Sequence, residues 1–402
     1  MKSWLLFFCV FFVLTNGWSQ RFPRIKNGEW TGKLMIQNGK QTLPFKLTVT
    51  DQKFTTHNAS EDISLEQGEK KGDSIVLLFP TFNSQLVLKP NSTKQMTGYW
   101  INKNKNSKIP CQLNYGYVHR FPITRQNVNE KLSGKWEVTF DKGSKTSYKG
   151  QAIINQTLSC ITGTIRTETG DFKFLEGNVN SDSIYLSRFD GAHVLLILGK
   201  LQGNVINGLL YSGAISTSTF EANLNPSFEL IHPDSLTYVD LSIPLEIKLN
   251  DINGNLYTYP NASTNGKVVI IELMGSWCPN CLDEAYFLKE LYSNYPSEKL
   301  EIISVAYEIG DQFEQQVEKV NRMRTKLNLP YTIVIGGKAS KQLASQQFPM
   351  LNQVMSFPTT LILDKKGVIR KVHTGFNGPA TGDYYINFKK ETTLFIDQLL
   401  TE

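Results

Sequence analysis

The 402-residue chain carries two different hydrophobic rhythms. From residue 21 to about 225, apolar and polar positions alternate in short runs such as Leu43-Pro44-Phe45-Lys46-Leu47-Thr48-Val49 and Ser183-Ile184-Tyr185-Leu186. Turns rich in Asn, Gly, Asp and Lys separate them. Period-two alternation gives a strand one buried face, and short strands so spaced predict a barrel or a sandwich. No long amphipathic helix interrupts this stretch. Pro226, Pro233 and Pro244 then punctuate residues 226–244, which read as an extended linker. Beyond the linker, β-branched apolar runs alternate with helix-period stretches. The chain is therefore multidomain: an N-terminal all-β region followed, over 245–402, by an α/β fold.

The β-region repeats itself. Gly28-Glu29-Trp30 returns as Gly134-Lys135-Trp136, and Asp73-Ser74-Ile75-Val76-Leu77 as Asp182-Ser183-Ile184-Tyr185-Leu186. Leu86-Val87-Leu88 returns as Leu195-Leu196-Ile197, and Gly98-Tyr99 as Gly208-Leu209. The offset stays between 106 and 110 residues, so 20–130 and 131–225 are two copies of one meander. The period is too long for a solenoid. Each copy alone is short of core, which favours closure of the copies on one another over two separate small barrels. Trp30, Tyr99, Trp100, Trp136 and the loop Phe189-Asp190-Gly191-Ala192-His193 could line a ligand cup. Aromatic side chains more commonly fill a core and Asp-Gly commonly makes a hairpin turn, so the tryptophans are expected inside.

The second half opens with Leu245–Tyr259, a hairpin turning at Asn253-Gly254. The apolar run Val268 to Ile271 reads as a buried strand, and Gly275-Ser276 breaks it. Then comes Cys278-Pro279-Asn280-Cys281, followed by Cys281, Ala285, Leu288, Tyr292 and Tyr295 at the spacing of one helix face. Pro279 suits a first helical turn, so the Cys-x-x-Cys opens a helix directly after a core strand. There the helix dipole favours a thiolate at the first cysteine. Leu300–Tyr307 reads as a second strand, Asp311 with Glu314 as a capping box, and Phe313, Val317, Val320 and Leu327 as the helix it starts. A strand over Tyr331–Ile335, a short helix over Lys338–Gln347, two strands over Thr359–Asp364 and Val368–His373, and a helix over 383–400 complete the pattern.

Two cysteines three apart could also be half of a zinc site, which needs two further ligands. The five histidines, at 57, 119, 193, 232 and 373, are scattered singly, so a redox pair is the better reading. The Trp277-Cys278-Pro279-Asn280-Cys281 motif, the strand before it and Phe357-Pro358-Thr359-Thr360-Leu361-Ile362-Leu363-Asp364 downstream resemble the thioredoxin superfamily. The nearest resemblance is to the TlpA/ResA-type branch of bacterial envelope thiol–disulfide oxidoreductases, over roughly residues 240–402. It implies a thioredoxin-like fold with a β-α insert and an enzyme that reduces protein disulfides by dithiol/disulfide exchange. Cys278 would attack and Cys281 resolve. Glu272 and Glu284 would serve Cys281 as acid and base, and Ala285 stands where that branch often has proline. Trp277 would be an apolar platform, and a cis Pro358 would turn the backbone of Phe357 toward the substrate. No cofactor is implied beyond the Cys278–Cys281 disulfide. Pro279 and Asn280 are uncharged, which points to a reducing to middling couple. The partners implied are disulfide-containing envelope proteins and a membrane thiol reductant as electron donor. Competing readings are a thiol peroxidase, and a ligand- or partner-binding envelope protein whose redox domain is accessory.

Composition changes this picture little. Residues 1–19 carry Lys2, an apolar run from Leu5 to Leu14 too short to span a bilayer, and Gly17-Trp18-Ser19 before Gln20, the layout of a signal peptide. Export to the periplasm or cell envelope is expected. Loss of this segment takes the net charge from +6 to +5, mild for the length, and the one basic cluster, Lys103, Lys105 and Lys108, is interleaved with Asn and Ser. No nucleic acid partner is implied. Cys111 and Cys160 remain as an even pair in an oxidising compartment, either bridged or free. The repeat and the Pro-rich linker together make the β-region a separable, redox-silent unit.

Overall fold

A computed structural model describes residues 25–116, 119–123 and 132–402. The expected signal peptide lies outside them. No helix among the described residues is long and apolar enough to cross a membrane.

Each β-repeat closes on itself. The first runs from strand Gly28–Ile36 to strand Ser107–Tyr115, eight strands each antiparallel to the next, and the last returns to the first with Trp30 opposite Tyr115 and Leu34 opposite Cys111. The second, from Gly134–Phe140 to Ser216–Leu224, closes in the same way: Phe220 lies opposite Phe140, and strands Tyr148–Thr157 and Cys160–Thr167 pair through Gly150 and Thr167. Mutual closure, expected from the small size of each copy, is thus overturned. Full closure leaves no sheet edge unpaired, and bulky side chains make each interior sufficient. Trp30 and Trp100 fill one barrel, Trp136 and Phe140 the other. The duplication is visible atom by atom. Trp30 Nε1 donates to the Lys26 carbonyl at 3.0 Å, and Trp136 Nε1 to the Leu132 carbonyl at 2.9 Å, each four residues back.

The barrels are joined by a plug. The loop Phe189–His193 of the second barrel enters the first, where Phe189 meets Phe45, Phe79 and Trp100 at ring separations of 4.7, 5.3 and 5.7 Å. Ser84 Oγ donates to the Gly191 carbonyl at 2.6 Å, and a Cβ on Gly191 would collide with Phe79. The loop and the tryptophans are packing elements, as the core reading of the aromatics anticipated; Tyr99 alone of the four named aromatics is exposed.

In the C-terminal domain, strands Thr332–Lys338, Leu300–Glu308 and Val268–Met274 lie parallel, and Thr359–Leu363 and Ile369–Thr374 continue the sheet antiparallel. The helices are α1 (Pro279–Asn294), α2 (Phe313–Leu327), α3 (Lys341–Gln347) and α4 (Asp383–Thr401). Strand Val268–Met274 is buried along its whole length, which accounts for the apolar run Val268 to Ile271. The capping box is not formed. Gln312 caps α2 without a side-chain bond, and Asp311 turns outward to Lys338 at 2.7 Å. The hairpin Ile247–Asn250/Leu256–Tyr259 precedes the sheet.

The proline-punctuated segment is extended but not free. Tyr238 and Asn352 exchange hydrogen bonds, Thr237 Oγ1 meets Thr374 Oγ1 at 2.6 Å, and Asp234 pairs with His373 at 2.6 Å. The second barrel also touches the C-terminal domain directly: the Arg166 guanidinium stacks on the Tyr384 ring at 3.4 Å. The β-region and the C-terminal domain are therefore tied through both the linker and a direct contact. Cys111 is buried in the first barrel and Cys160 is exposed on the second, both as free thiols, so the bridged alternative does not occur.

Candidate active site

The site grows from the carboxyl end of the central strand. Beyond Met274 the chain turns at Gly275, where a Cβ would strike the Trp277 indole and the Tyr307 carbonyl. The backbone N–H and the hydroxyl of Ser276 both donate to Glu308, at 2.6 and 2.9 Å. Trp277 Nε1 donates to the Tyr307 carbonyl at 2.9 Å, and its ring meets Phe357 edge-on at 6.1 Å. This anchored loop delivers Cys278 as the N-cap of α1, with Pro279 in the first helical position.

Cys278 Sγ accepts from the Cys281 N–H at 3.3 Å and donates to the Phe357 carbonyl at 3.4 Å. The Phe357–Pro358 peptide is cis. Burial opposes ionisation of Cys278, but hydrogen bonds from Cys281 and Asn280 and the charge of Lys173 outweigh it and hold the thiol below its usual range. Cys281 is fully buried, and burial together with Cys278 and Glu272 pushes it well up. The two thiols are thus chemically unequal. Cys278 is only 8% exposed. The Phe357 carbonyl of the cis-proline loop meets its sulfur, and the second barrel reaches the neighbouring Pro279 and Asn280.

Glu272 and Glu284 both face inward beneath the pair. Glu272 Oε2 accepts from Ser304 at 2.5 Å and Glu284 Oε1 from Thr360 at 2.7 Å. Their other oxygens, Glu272 Oε1 and Glu284 Oε2, have no hydrogen-bond partner among the described residues. Burial raises Glu272 to about 7. Burial, and then the charge of Glu272, drives Glu284 well above the carboxylate range. Both carboxyls are thus held toward their protonated forms by burial in a dry site.

Four residues went unnoticed in the sequence. Glu308 is a third buried carboxyl, raised by burial to about 7; it lies in an apolar strand with no motif around it. Asp283 follows the motif on α1, and the other two come from the second barrel. Lys173 of the second barrel donates to Asp283 Oδ1 on α1 at 2.8 Å and approaches the Pro279 carbonyl at 3.5 Å. Asp171, two residues earlier, accepts from the Gly378 N–H at 2.8 Å. Nothing in the local sequence of Asp171 or Lys173 relates them to a motif more than a hundred residues away. No cluster of His, Cys, Asp and Glu suited to a metal exists among the described residues.

A strand delivering a Cys-x-x-Cys to a helix N-terminus, opposite a cis-proline loop, defines a redox domain of the thioredoxin superfamily. A family model described as Redoxin matches residues 237–385. The thioredoxin-like protein YneN of Bacillus subtilis is 28% identical over 130 residues, 32% of this chain and 68% of that protein. The thiol-disulfide oxidoreductase ResA of Geobacillus thermodenitrificans is 30% identical over 129 residues, 32% of this chain and 64% of ResA. The chain thus spans about two thirds of the length of these curated relatives. Among solved structures, StoA from Bacillus subtilis aligns at 23% identity and a TM-score of 0.27, covering 37% of this chain and 98% of that one. The C-terminal region has a thioredoxin-like fold, matches the Redoxin family and is similar to ResA-type thiol-disulfide oxidoreductases.

Proposed function

We propose that the protein is a thiol–disulfide oxidoreductase of the bacterial cell envelope that reduces protein disulfides through Cys278 and Cys281. The observation that carries this reading is the inequality of the two thiols: one at a helix N-terminus and held toward its thiolate, the other buried and held protonated.

The Cys278 thiolate attacks one sulfur of a substrate disulfide. A new S–S bond forms to Cys278, the substrate S–S bond breaks, and the second substrate sulfur leaves as a thiolate that takes up a proton. Cys281 passes its proton to the Glu272–Glu284 pair and attacks Cys278 Sγ. That closes the Cys278–Cys281 disulfide and releases the first substrate sulfur as thiolate. The substrate gains two electrons and the domain loses two. Trp277 is the apolar wall for the substrate, and Phe357 with Pro358 presents backbone for an extended chain. A membrane thiol reductant restores the dithiol. Export follows from the signal-like layout of residues 1–19, and the envelope is where an oxidised pool of substrates exists.

The full reduced chain should reduce the interchain disulfides of insulin in the presence of a small dithiol. Cys278→Ser should bring the rate to that of the dithiol alone. Full-rate reduction by Cys278→Ser would reject the assignment.

A partner-binding role for the β-region has one observation in its favour. A cavity of about 690 Å³ lies where the two barrels meet, and His57, Arg120, Cys160 and Glu176 are among the residues that line it.

A further inference from the structure

We propose that Lys173, carried by the second β-barrel, is a positioning residue of the redox site: its ammonium stands at the first turn of α1 as a fixed counter-charge for the Cys278 thiolate. The inference rests on the thiol chemistry proposed above and gives the β-region a part in it.

The placement of Lys173 is over-determined. Its backbone has a φ of +57°, a conformation unfavourable for a side-chain-bearing residue. The turn is held by Asp171, whose Oδ2 accepts from the Lys173 N–H at 2.7 Å while its Oδ1 accepts from Gly378 of the C-terminal domain. One carboxylate therefore fixes the lysine backbone and docks the barrel on the redox domain. Close approach at the neighbouring residues leaves no slack. A Cβ on Gly170 would collide with the Asn280 amide inside the Cys-x-x-Cys, and one on Gly378 with Asp283 Oδ2.

The ammonium is 3% exposed as a residue, a costly location for a charge without partners. Its partners come from the other two parts of the molecule. Asp283 of α1 lies at 2.8 Å and Glu61 of the first barrel at 3.6 Å. Glu61 is shared with Arg188, which also binds Asp190 at 2.7 Å. Burial opposes the charge of Lys173, but Asp283 and Glu61 outweigh it and keep the group protonated.

The titratable groups around Cys278 leave this cation without a rival close to the sulfur. Cys281 and Tyr286 on α1 are neutral near pH 7, each pushed upward by burial. Glu272 and Glu284 below and Glu308 behind the Ser276 loop are held toward their protonated forms. Asp171, Glu61 and Asp283 are the anions near Lys173, and burial lifts Asp283 to about 6. Stabilising the thiolate favours the reduced dithiol over the disulfide, so Lys173 moves the couple in the oxidising direction. Pro279 and Asn280 carry no charge; the charge at this site comes from another domain.

The test uses the full chain with Lys173→Met, Asp283→Asn and Lys173→Arg. The readout is the pH dependence of Cys278 alkylation by iodoacetamide, followed by peptide mass spectrometry, together with the equilibrium with glutathione. Lys173→Met should move the Cys278 titration up by about one pH unit, slow alkylation about tenfold at pH 6, and make the couple more reducing. Asp283→Asn removes the nearest counter-anion and should move the titration down. Lys173→Arg should restore most of the wild-type profile. A charge effect requires that Lys173→Arg restore what Lys173→Met removes. An unchanged Lys173→Met profile, or an upward shift that Lys173→Arg shares in full, would overturn the proposal. If Lys173→Met does not fold, Lys173→Gln is read in its place against the same two outcomes. A wild-type Cys278 that reacts no faster than an ordinary thiol would instead overturn the thiol reading itself.

Discussion

The β-region and the redox domain both bury charged residues, and three carboxyls of the redox domain are treated in the opposite way to the buried charges of the barrels. In the barrels each buried cation has an anion. Arg188 lies between Glu61 and Asp190, and Arg120 donates to Glu176 at 3.0 Å. In the redox domain Glu272, Glu284 and Glu308 are buried with hydroxyl or backbone partners and no cation in contact among the described residues. A paired buried charge is a structural joint, since removing one member strands the other. An unpaired buried carboxyl changes its proton affinity instead, which is the property a proton carrier needs. The difference separates residues that hold the assembly together from residues that work in it. Lys173 lies on the boundary, paired like a structural residue and placed like a working one.

The largest effect expected from this contrast is at Arg188. Arg188→Met leaves Glu61 and Asp190 facing one another without their shared cation and should cost about 3–5 kcal/mol, read from denaturant midpoints of the full chain. A loss under about 1 kcal/mol would mean that the joint is no more than a surface-like ion pair.

Glu272→Gln and Glu284→Gln should do the reverse. Each keeps shape and removes the acid, so disulfide turnover should fall about 10²-fold with stability near wild type. The pH dependence has a definite sign. Burial puts the folded Glu272 at about 7, above its unfolded value, so the folded protein holds this proton more tightly. Its contribution to stability therefore falls as the pH rises from the unfolded value toward 7. Glu272→Gln should flatten that slope in a series of melting curves between pH 4 and 8. A steep loss of stability in either variant at constant turnover would erase the distinction between the two regions.

Much of the redox domain was legible because its signals are local. A β-branched run, a cysteine pair at a helix start and the Phe357-Pro358-Thr359 stretch each sit within a few residues of chain, and the structure brings Cys278, Cys281, Glu272, Glu284, Trp277, Phe357 and Pro358 together around one helix N-terminus. The repeat was legible too, through Gly28-Glu29-Trp30 and its echo at Gly134. Closure was not, because an alternating pattern shows which face of a strand is buried and says nothing of which strand meets the last edge. The approach of the second barrel to the cysteine motif and the role of Lys173 depend on the seating of Gly170 and Asp171 against Asn280 and Gly378, contacts that span more than a hundred residues of chain. The Asp311–Glu314 capping box failed for a simpler reason: Lys338 on the neighbouring strand draws Asp311 outward.

The central claim is that Cys278 begins the exchange and Cys281 ends it. The direct measurement is trapping of the covalent intermediate. Reduced Cys281→Ser and Cys278→Ser are each mixed with an oxidised protein substrate, run on a non-reducing gel and mapped by mass spectrometry. Cys281→Ser should accumulate a substrate disulfide at Cys278 that a reductant releases, and Cys278→Ser should accumulate none. Adducts at Cys281 in place of Cys278, or adducts in neither variant, would contradict the account.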